Sequence, residues 1–274
     1  TGHQIKSTLG DHIDYSEYLG PDWKADWDEA PIVIGGPHTS WIDDALGALM
    51  YYPSFVARHS VKKMFAINVI SDSLNCIYID RFGKDAKASA SKLSIKQLDV
   101  KDHQAGLLKY PLLIFPEGCV HNGEQIVQFK VGAFANLNAI MPFSIKIERG
   151  PYGTSADLVN EEPHWVYYLC CCSPPTGTIN HVKFPTFKPN QYLWDNHLQE
   201  GEDKAKCYMR IMRDIMIKYT GLNDSPSVAY DRPKYRCILI KRLGKSNVID
   251  FKVYTIDRVN MIRILAQIYY FKKF

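Results

Sequence analysis

His38 and Asp43 are the residues of this chain whose types and spacing best fit acid–base chemistry. They lie in the segment GGPHTSWIDD, five positions apart and directly after the apolar run PIVIGG. On a regular helix that offset rotates the two side chains by about 140°, so they would not share a face. They meet only if His38 lies in the turn before a helix, with Ser40 as the N-cap and Asp43 near the third helical position. Pro37 restricts that turn and favours the arrangement.

A His–Asp pair of this kind can supply a general base. The carboxylate fixes the imidazole tautomer and stabilises the protonated ring, so the other ring nitrogen can accept a proton. The alternative is a structural histidine near the start of a helix. The spacing alone does not separate these two interpretations.

The segment FPEGCVHNG, residues 115–123, is a second candidate for chemistry. It places Pro116, Glu117 and Gly118 directly after the apolar run YPLLIF. A buried strand that ends in a charged residue and a glycine often delivers that charge to a site. The pattern therefore indicates a site at the end of this strand.

Four short motifs occur in order along the chain. PHTSWID is followed by IYIDR at 77–81, FPEG at 115–118 and MPF at 141–143. From about residue 31 to residue 222, this series resembles the glycerolipid and lysophospholipid acyltransferases, the family with an H-x4-D motif. The fuller third motif, FPEGCVHNGEQIVQFKVGAF, is most similar to the lysophosphatidylcholine and lysophosphatidylethanolamine acyltransferase branch. It is also similar to the related eukaryotic glycerol-phosphate acyltransferases.

The resemblance implies an enzyme of phospholipid biosynthesis. Its donor would be acyl-CoA, a substrate used without a cofactor or metal, and its acceptor a hydroxyl of a lysophospholipid or glycerol phosphate. Carried onto this sequence, His38 deprotonates the acceptor hydroxyl and Asp43 orients His38. Backbone amides near strand ends are the expected donors to the tetrahedral oxyanion. Pro116, Glu117 and Gly118 match the family's acceptor-binding turn.

Arg81, at the end of IYIDR, matches the family's position for the acceptor phosphate. A guanidinium suits a phosphate because it offers fixed paired donors. A surface arginine paired with Asp80 or Asp85 is the alternative.

The chain departs from the family pattern after FPEG. Cys119 stands where the family usually has Thr, which removes a hydroxyl donor. Val120 and His121 stand where many phosphatidic-acid-forming members have an Arg, which favours an acceptor that bears a head group. Cys119 and the unusual C-terminal tail leave a second function open, that of a catalytically silent or moonlighting subunit of a larger membrane assembly, although the intact His38 and Asp43 argue against a loss of activity.

These motifs require a sheet that brings strand ends together. Apolar runs alternate with helical segments, which predicts an α/β sheet with helices on both faces. The resemblance implies a single mixed, largely parallel sheet flanked by helices, like that of glycerol-phosphate acyltransferases, with a C-terminal extension. The predicted strands are PIVIGG, NCIYIDR, YPLLIFPEG, IMPFSIKI and HVKFPTF. Helices are predicted for HTSWIDDALGALMYY, 86–108, FKVGAFANL and 202–221. The segment HWVYYLCCCS could be strand or helix.

Three regions are expected along the chain. Residues 1–30 are polar and predict an irregular N-terminal arm, residues 31–222 form the acyltransferase domain, and residues 223–274 form a C-terminal extension. The last part, 258–274, is basic and amphipathic. It either lies on a membrane surface or docks on the domain or on a partner.

Composition narrows the classes of partner. The formal net charge of +4 is too weak to indicate nucleic acid and is compatible with an anionic membrane surface. No stretch reaches the roughly 18 apolar residues that a membrane-spanning helix needs. The sequence leaves open whether a membrane anchor or targeting segment precedes Thr1. The run CCC at 170–172 is expected to hold reduced thiols. The resemblance implies a location on the endoplasmic reticulum or another endomembrane facing the cytosol, with the mitochondrial membrane as the alternative.

Overall fold

The strands and helices of the described residues have the following bounds. The computed structural model describes residues 3–58, 69, 72–74, 76–79, 110–121, 123–148 and 177–231. The strands are β1 (His3–Leu9), β2 (Ile32–Gly36), β3 (Ser54–Arg58), β4 (Ile77–Ile79), β5 (Leu112–Ile114), β6 (Gln125–Ile126), β7 (Ile140–Glu148), β8 (Gly177–Lys183) and β9 (Asn223–Asp224). The helices are α1 (Ser16–Leu19), α2 (Trp41–Tyr51), α3 (Gln191–His197) and α4 (Lys204–Thr220).

Within these residues, seven strands form one sheet in the order β1-β8-β7-β2-β5-β3-β4. β2 lies at the centre, parallel to both β5 and β7. β3 and β4 continue the parallel part beyond β5. On the other side, β8 runs antiparallel to β7 and β1 runs parallel to β8. The predicted fold class, a single mixed and largely parallel sheet flanked by helices, is confirmed.

β2 is apolar along its whole length because both faces of the sheet are covered. All five of its residues are buried. Val33 belongs to a core cluster with Leu46 of α2. Ile34 belongs to a second cluster with Ile215 of α4 on the opposite face. A strand covered on both sides has no polar face, which explains the continuous run PIVI.

The helix predicted over 202–221 is confirmed as α4. The Asp203 side chain accepts a hydrogen bond from the backbone N–H of Lys206, and Gly221 ends the helix in the left-handed conformation with φ +66°. The buried residues of α4 include Tyr208, Met212, Ile215 and Met216. Met216 packs so closely against the end of β2 that a Cβ on Gly36 would lie 2.9 Å from its Cε. A larger residue at position 36 would require the end of the Met216 side chain to move.

Arg213 ties α4 to the segments beside it. Its guanidinium donates to the carbonyl oxygens of Ile126, Val127 and Ser225 and to the carboxylate of Asp224. The neighbouring β6 and β9 form a short parallel ladder. The C-terminal extension expected from residue 223 therefore begins with two residues paired to β6.

The N-terminal region differs from its prediction. The sequence predicted an irregular arm, but residues 3–9 form β1, an edge strand paired with β8 over seven residues. The stretch HQIKSTL has few apolar residues, because its side chains are largely exposed and the backbone pairing with β8 defines the strand. The short helix predicted for FKVGAFANL is also limited to a single 3-10 turn over Val131–Ala133.

The strand predicted for HVKFPTF is shifted toward the N-terminus. β8 begins at Gly177 and ends at Lys183, before Pro185, which has no N–H to donate to a ladder. Several predictions lie outside the described residues: the helix over 86–108, the segment HWVYYLCCCS, Arg81, and the extension from residue 232 onward. None of the helices in the described part of the chain is both long and apolar enough to cross a bilayer.

Candidate active site

His38 lies in the loop at the carboxyl end of β2. The Gly36–Pro37 peptide bond before it is cis. Ser40 then caps α2, with its Oγ 3.1 Å from the backbone nitrogen of Ile42, and Asp43 occupies the third helical position. This confirms the cap that the spacing predicted. The carboxyl ends of strands in the middle of a parallel sheet are the usual place for ligand sites in α/β folds.

One carboxylate organises this loop. Oδ2 of Asp43 accepts hydrogen bonds from the backbone N–H groups of Thr39 and Ser40, the latter at 2.9 Å from the nitrogen. His38 Nδ1 lies 3.1 Å from the same oxygen. The Asp43 side chain has 0% exposed area. Because an ionised carboxylate only accepts hydrogen bonds, Nδ1 carries the proton in this arrangement and Nε2 is the nitrogen that can take one up.

The His38 ring is held on its flat side as well as at its edge. It stacks on Phe115, with the ring centroids 4.0 Å apart and the planes 11° from parallel. The side chain keeps 14% of its area exposed. The imidazole is therefore fixed in orientation and still accessible to a small reacting group.

Three carboxylates surround the imidazole and set its charge. Burial is the largest single effect on the His38 pKa and lowers it. The hydrogen bond to Asp43, with the charges of Asp44, Asp43 and Glu117, outweighs burial and raises the pKa above its ordinary value of 6.5. Burial also raises the pKa of Asp44 to about 6, while nearby His38 lowers it and the charge of Asp43 raises it. A raised imidazole pKa strengthens the neutral ring as a base.

The FPEG turn follows β5, the strand beside β2. The N–H of Gly118 donates to the carbonyl of Phe115 (N–O 3.0 Å), and the N–H of Lys130 donates to the carbonyl of Pro116 (N–O 2.8 Å). Gly118 has φ +70°, and a Cβ there would lie 2.9 Å from the Lys130 Nζ. The positive φ favours glycine at this position, and a Cβ would also require the end of the Lys130 side chain to move. The turn thus has a lysine side chain packed directly over it.

Glu117 lies in a different environment from the one that the sequence suggested. Its side chain has 0% exposed area. Oε2 accepts the backbone N–H of His38 at 2.7 Å, and Oε1 lies 3.1 Å from the nitrogen of Val127 and 2.9 Å from Nε2 of His121. These hydrogen bonds connect the FPEG turn to the His38 loop, to Val127 and to His121. Direct contact between Glu117 and an acceptor stays a prediction.

The structure brings most of the predicted site residues to one place. His38, Asp43 and Glu117 are linked by hydrogen bonds, and Pro116 and Gly118 flank Glu117 in the same turn. Arg81 lies outside the described residues. Within the part that is described, no group of three or more His, Cys, Asp or Glu side chains is arranged to hold a metal ion.

Sequence reasoning missed two contributors to this site. Phe115 was noted only as the end of an apolar run, and its stacking on His38 is a contact across 77 positions of the chain. His121 was noted only as a departure from the family pattern. Its position four residues after Glu117 was the one available signal, because a buried acid needs a donor nearby.

The chain is similar to known acyltransferases. The family model described as Acyltransferase matches residues 16–147. The lysophospholipid acyltransferase LPEAT1 of Arabidopsis thaliana is 26% identical over 221 residues, which cover 80% of this chain and 52% of that protein. Human lysophosphatidylcholine acyltransferase 2 is 26% identical over 119 residues, covering 43% of this chain and 21% of that protein. The chain thus spans about half of the plant protein and a smaller part of the human one.

Among solved structures, a comparison matched the chain to PlsC, the 1-acyl-sn-glycerophosphate (LPA) acyltransferase from Thermotoga maritima. It has a TM-score of 0.46 and 16% sequence identity, with 81% of this chain and 74% of that chain covered.

Proposed function

We propose that this chain, which is similar to lysophospholipid acyltransferases, transfers an acyl group from acyl-CoA to the free hydroxyl of a lysophospholipid. The observation that carries the proposal is the contact between His38 Nδ1 and the buried Asp43 carboxylate at 3.1 Å. That contact leaves Nε2 as a base at the carboxyl end of the central strand. Glycerol phosphate, which lacks a head group, is the less favoured acceptor.

The proposed reaction uses His38 twice. Nε2 takes the proton of the acceptor hydroxyl while the hydroxyl oxygen attacks the thioester carbonyl carbon. The tetrahedral intermediate then collapses, the carbon–sulfur bond breaks, and CoA leaves as its thiol with the proton returned from the imidazolium. Asp43 supports both steps because it stabilises the ring when it is charged.

The acceptor side of the site is assigned to the FPEG turn and to Arg81. Pro116, Glu117 and Gly118 would form the acceptor-binding turn, in which the buried Glu117 acts through its hydrogen bond to the His38 loop, and Arg81 would bind the acceptor phosphate. Backbone N–H groups near the strand ends are the proposed donors to the oxyanion. Both substrates partition into bilayers, so we further propose that the domain works on a membrane surface.

The acceptor class is tested by a thiol-release assay. Purified chain is incubated with acyl-CoA of several lengths and with lysophosphatidylcholine, lysophosphatidylethanolamine, lysophosphatidic acid or glycerol phosphate, and free CoA is measured. The proposal expects acceptor-dependent release that is fastest with a lysophospholipid that bears a head group. Release that is independent of acceptor would indicate a thioesterase and would contradict it.

Arg81→Ala is expected to raise the KM for the acceptor by roughly 10-fold to 100-fold, the equivalent of a charge-assisted hydrogen bond, and to leave the KM for acyl-CoA nearly unchanged. Arg81→Lys should recover only part of the loss because an ammonium lacks the planar fork. The exposed Lys146 provides a control, Lys146→Ala, for the loss of a surface cation. A rise in the acyl-CoA KM would show that Arg81 contacts the donor instead.

A further inference from the structure

The backbone of His38 is held from both sides by the loop that follows β5. On one side, its N–H donates to Oε2 of Glu117, 2.7 Å away. On the other side, its carbonyl oxygen accepts the N–H of His121 at 2.9 Å from the nitrogen. The peptide groups that flank the His38 Cα are therefore both bonded to residues that lie about 80 positions further along the chain.

Glu117 and His121 form a buried pair of their own. Nε2 of His121 lies 2.9 Å from Oε1 of Glu117, and neither side chain has exposed area (0% for both). Nδ1 of His121 lies 3.2 Å from the backbone nitrogen of Gly123, which can only donate. Nδ1 is therefore the acceptor, and Nε2 carries the proton that is donated to Glu117.

The turn beyond His121 packs directly on the His38 loop. Gly123 has φ +76°, and a Cβ there would lie 2.7 Å from Cγ2 of Thr39. Thr39 is itself bonded to Asp43 through its N–H and its hydroxyl. A displacement of the 121–123 turn would thus be transmitted to Thr39 and the Asp43 network as well as to His38.

We propose that His121 is a positioning residue for His38 and acts through Glu117, so that the Glu117–His121 pair clamps the His38 loop in its productive geometry. The proposal rests on the proposed function. Because its side chain has no exposed area, His121 is not placed to bind the acceptor phosphate. In this chain, the residue that follows the FPEG motif at position 121 would instead hold the His38 loop through Glu117.

The buried Glu117 carboxylate depends on its hydrogen-bond donors. The carboxylate is fully buried and is bonded to two backbone N–H groups and to His121. Loss of the His121 donor leaves Oε1 with the Val127 N–H as its one remaining partner in the described structure, and a buried charge that loses a partner shifts or recruits water. A shift of Glu117 moves the backbone of His38, and a misplacement of about 1 Å can cost about 100-fold in rate.

Two substitutions of His121 distinguish the loss of its Nε2 donor from the loss of the rest of its side chain. In His121→Gln, the terminal amide occupies the place of Nε2 and can still donate to Glu117. In His121→Asn, the shorter amide occupies the place of Nδ1 and keeps an acceptor for Gly123 but cannot reach Glu117. His181→Asn is the matched control, because His181 is another buried histidine, with Nδ1 2.8 Å from the Ser7 Oγ and Nε2 2.8 Å from the Tyr51 hydroxyl.

Two measurements are made on each purified variant. Kinetics with acyl-CoA and lysophosphatidylcholine should give a kcat for His121→Asn that is about 10-fold to 100-fold lower, with both KM values little changed. His121→Gln and His181→Asn should keep most of the wild-type kcat. Hydrogen exchange followed by mass spectrometry should show faster exchange in residues 36–44 of His121→Asn and unchanged exchange in α4.

The two measurements separate this proposal from the proposed function. Faster exchange in residues 36–44 together with a wild-type chain that transfers no acyl group supports the clamp and contradicts the function. Unchanged exchange, or faster exchange with an unchanged kcat in an active chain, overturns the clamp. If His121→Asn does not fold, the wild-type exchange rate of the His38 amide decides, since the clamp requires strong protection and rapid exchange rules it out.

Discussion

His38→Ala is expected to lower the kcat of acyl transfer by on the order of 100-fold to 10000-fold, because it removes the only group assigned to deprotonate the acceptor. The fold should be retained. The substitution leaves the backbone bonds from His38 to Glu117 and His121 in place, and it removes one ring that is stacked on Phe115. Steady-state kinetics and a melting curve measured on the same preparation report the two effects separately.

The control for this variant is His12→Ala. His12 is exposed and lies on the N-terminal segment, so its loss tests whether removing any histidine affects the assay. It should leave kcat and the melting temperature unchanged. A well-folded His38→Ala protein with wild-type turnover would remove His38 from the mechanism.

Asp43→Asn should reduce kcat nearly as much as His38→Ala. An amide can present its N–H group to Nδ1 of His38, which favours the tautomer with the proton on Nε2 and removes the base. The carboxylate also completes the cap of α2, so a loss of about 1–2 kcal/mol in the free energy of unfolding is expected. Kinetics and denaturant unfolding measure these two losses.

The same variant makes a prediction for pH dependence. His38 is a base only when it is neutral, so activity should rise with pH through its pKa, which lies above the ordinary value of 6.5. Asp43→Asn removes the hydrogen bond and one of the charges that raise this pKa, and the acidic limb of the residual activity should move to lower pH. The control is Asp44→Asn, which removes a neighbouring charge without touching the Nδ1 contact. Asp44→Asn should also move the acidic limb of the pH profile to lower pH, with a much smaller loss in kcat. Equal losses of kcat in the two variants would contradict the role of Asp43.

The parts of the site that the sequence could predict are local in the chain. Ser40 and Asp43 lie within five positions of His38, so spacing and cap chemistry were enough to predict their contact. β2 and β5 were predictable because strands covered on both faces appear as continuous apolar runs. These features depend on neighbours in the sequence or on the composition of a short segment.

The features that escaped prediction depend on residues far apart in the chain. Glu117 and His38 are separated by 79 positions, and nothing in FPEG indicates that its carboxylate accepts the His38 N–H. β1 is an edge strand with exposed side chains, so its sequence carries little apolar signal, and its pairing with β8 spans most of the chain. Arg213 and Asp224 likewise meet only because α4 packs beside the short β6–β9 ladder.

Above all, we propose that this chain moves an intact acyl group onto a lysophospholipid with His38 as the base. The most direct measurement uses acyl-CoA with an isotopically labelled acyl chain, lysophosphatidylcholine in mixed vesicles, and wild-type or His38→Ala protein. Tandem mass spectrometry then locates the label. We expect the wild-type chain to produce labelled diacyl phosphatidylcholine with the label at the formerly free hydroxyl. His38→Ala should produce little of this labelled lipid. Label found only as free fatty acid, or equal labelled product from both proteins, would contradict it.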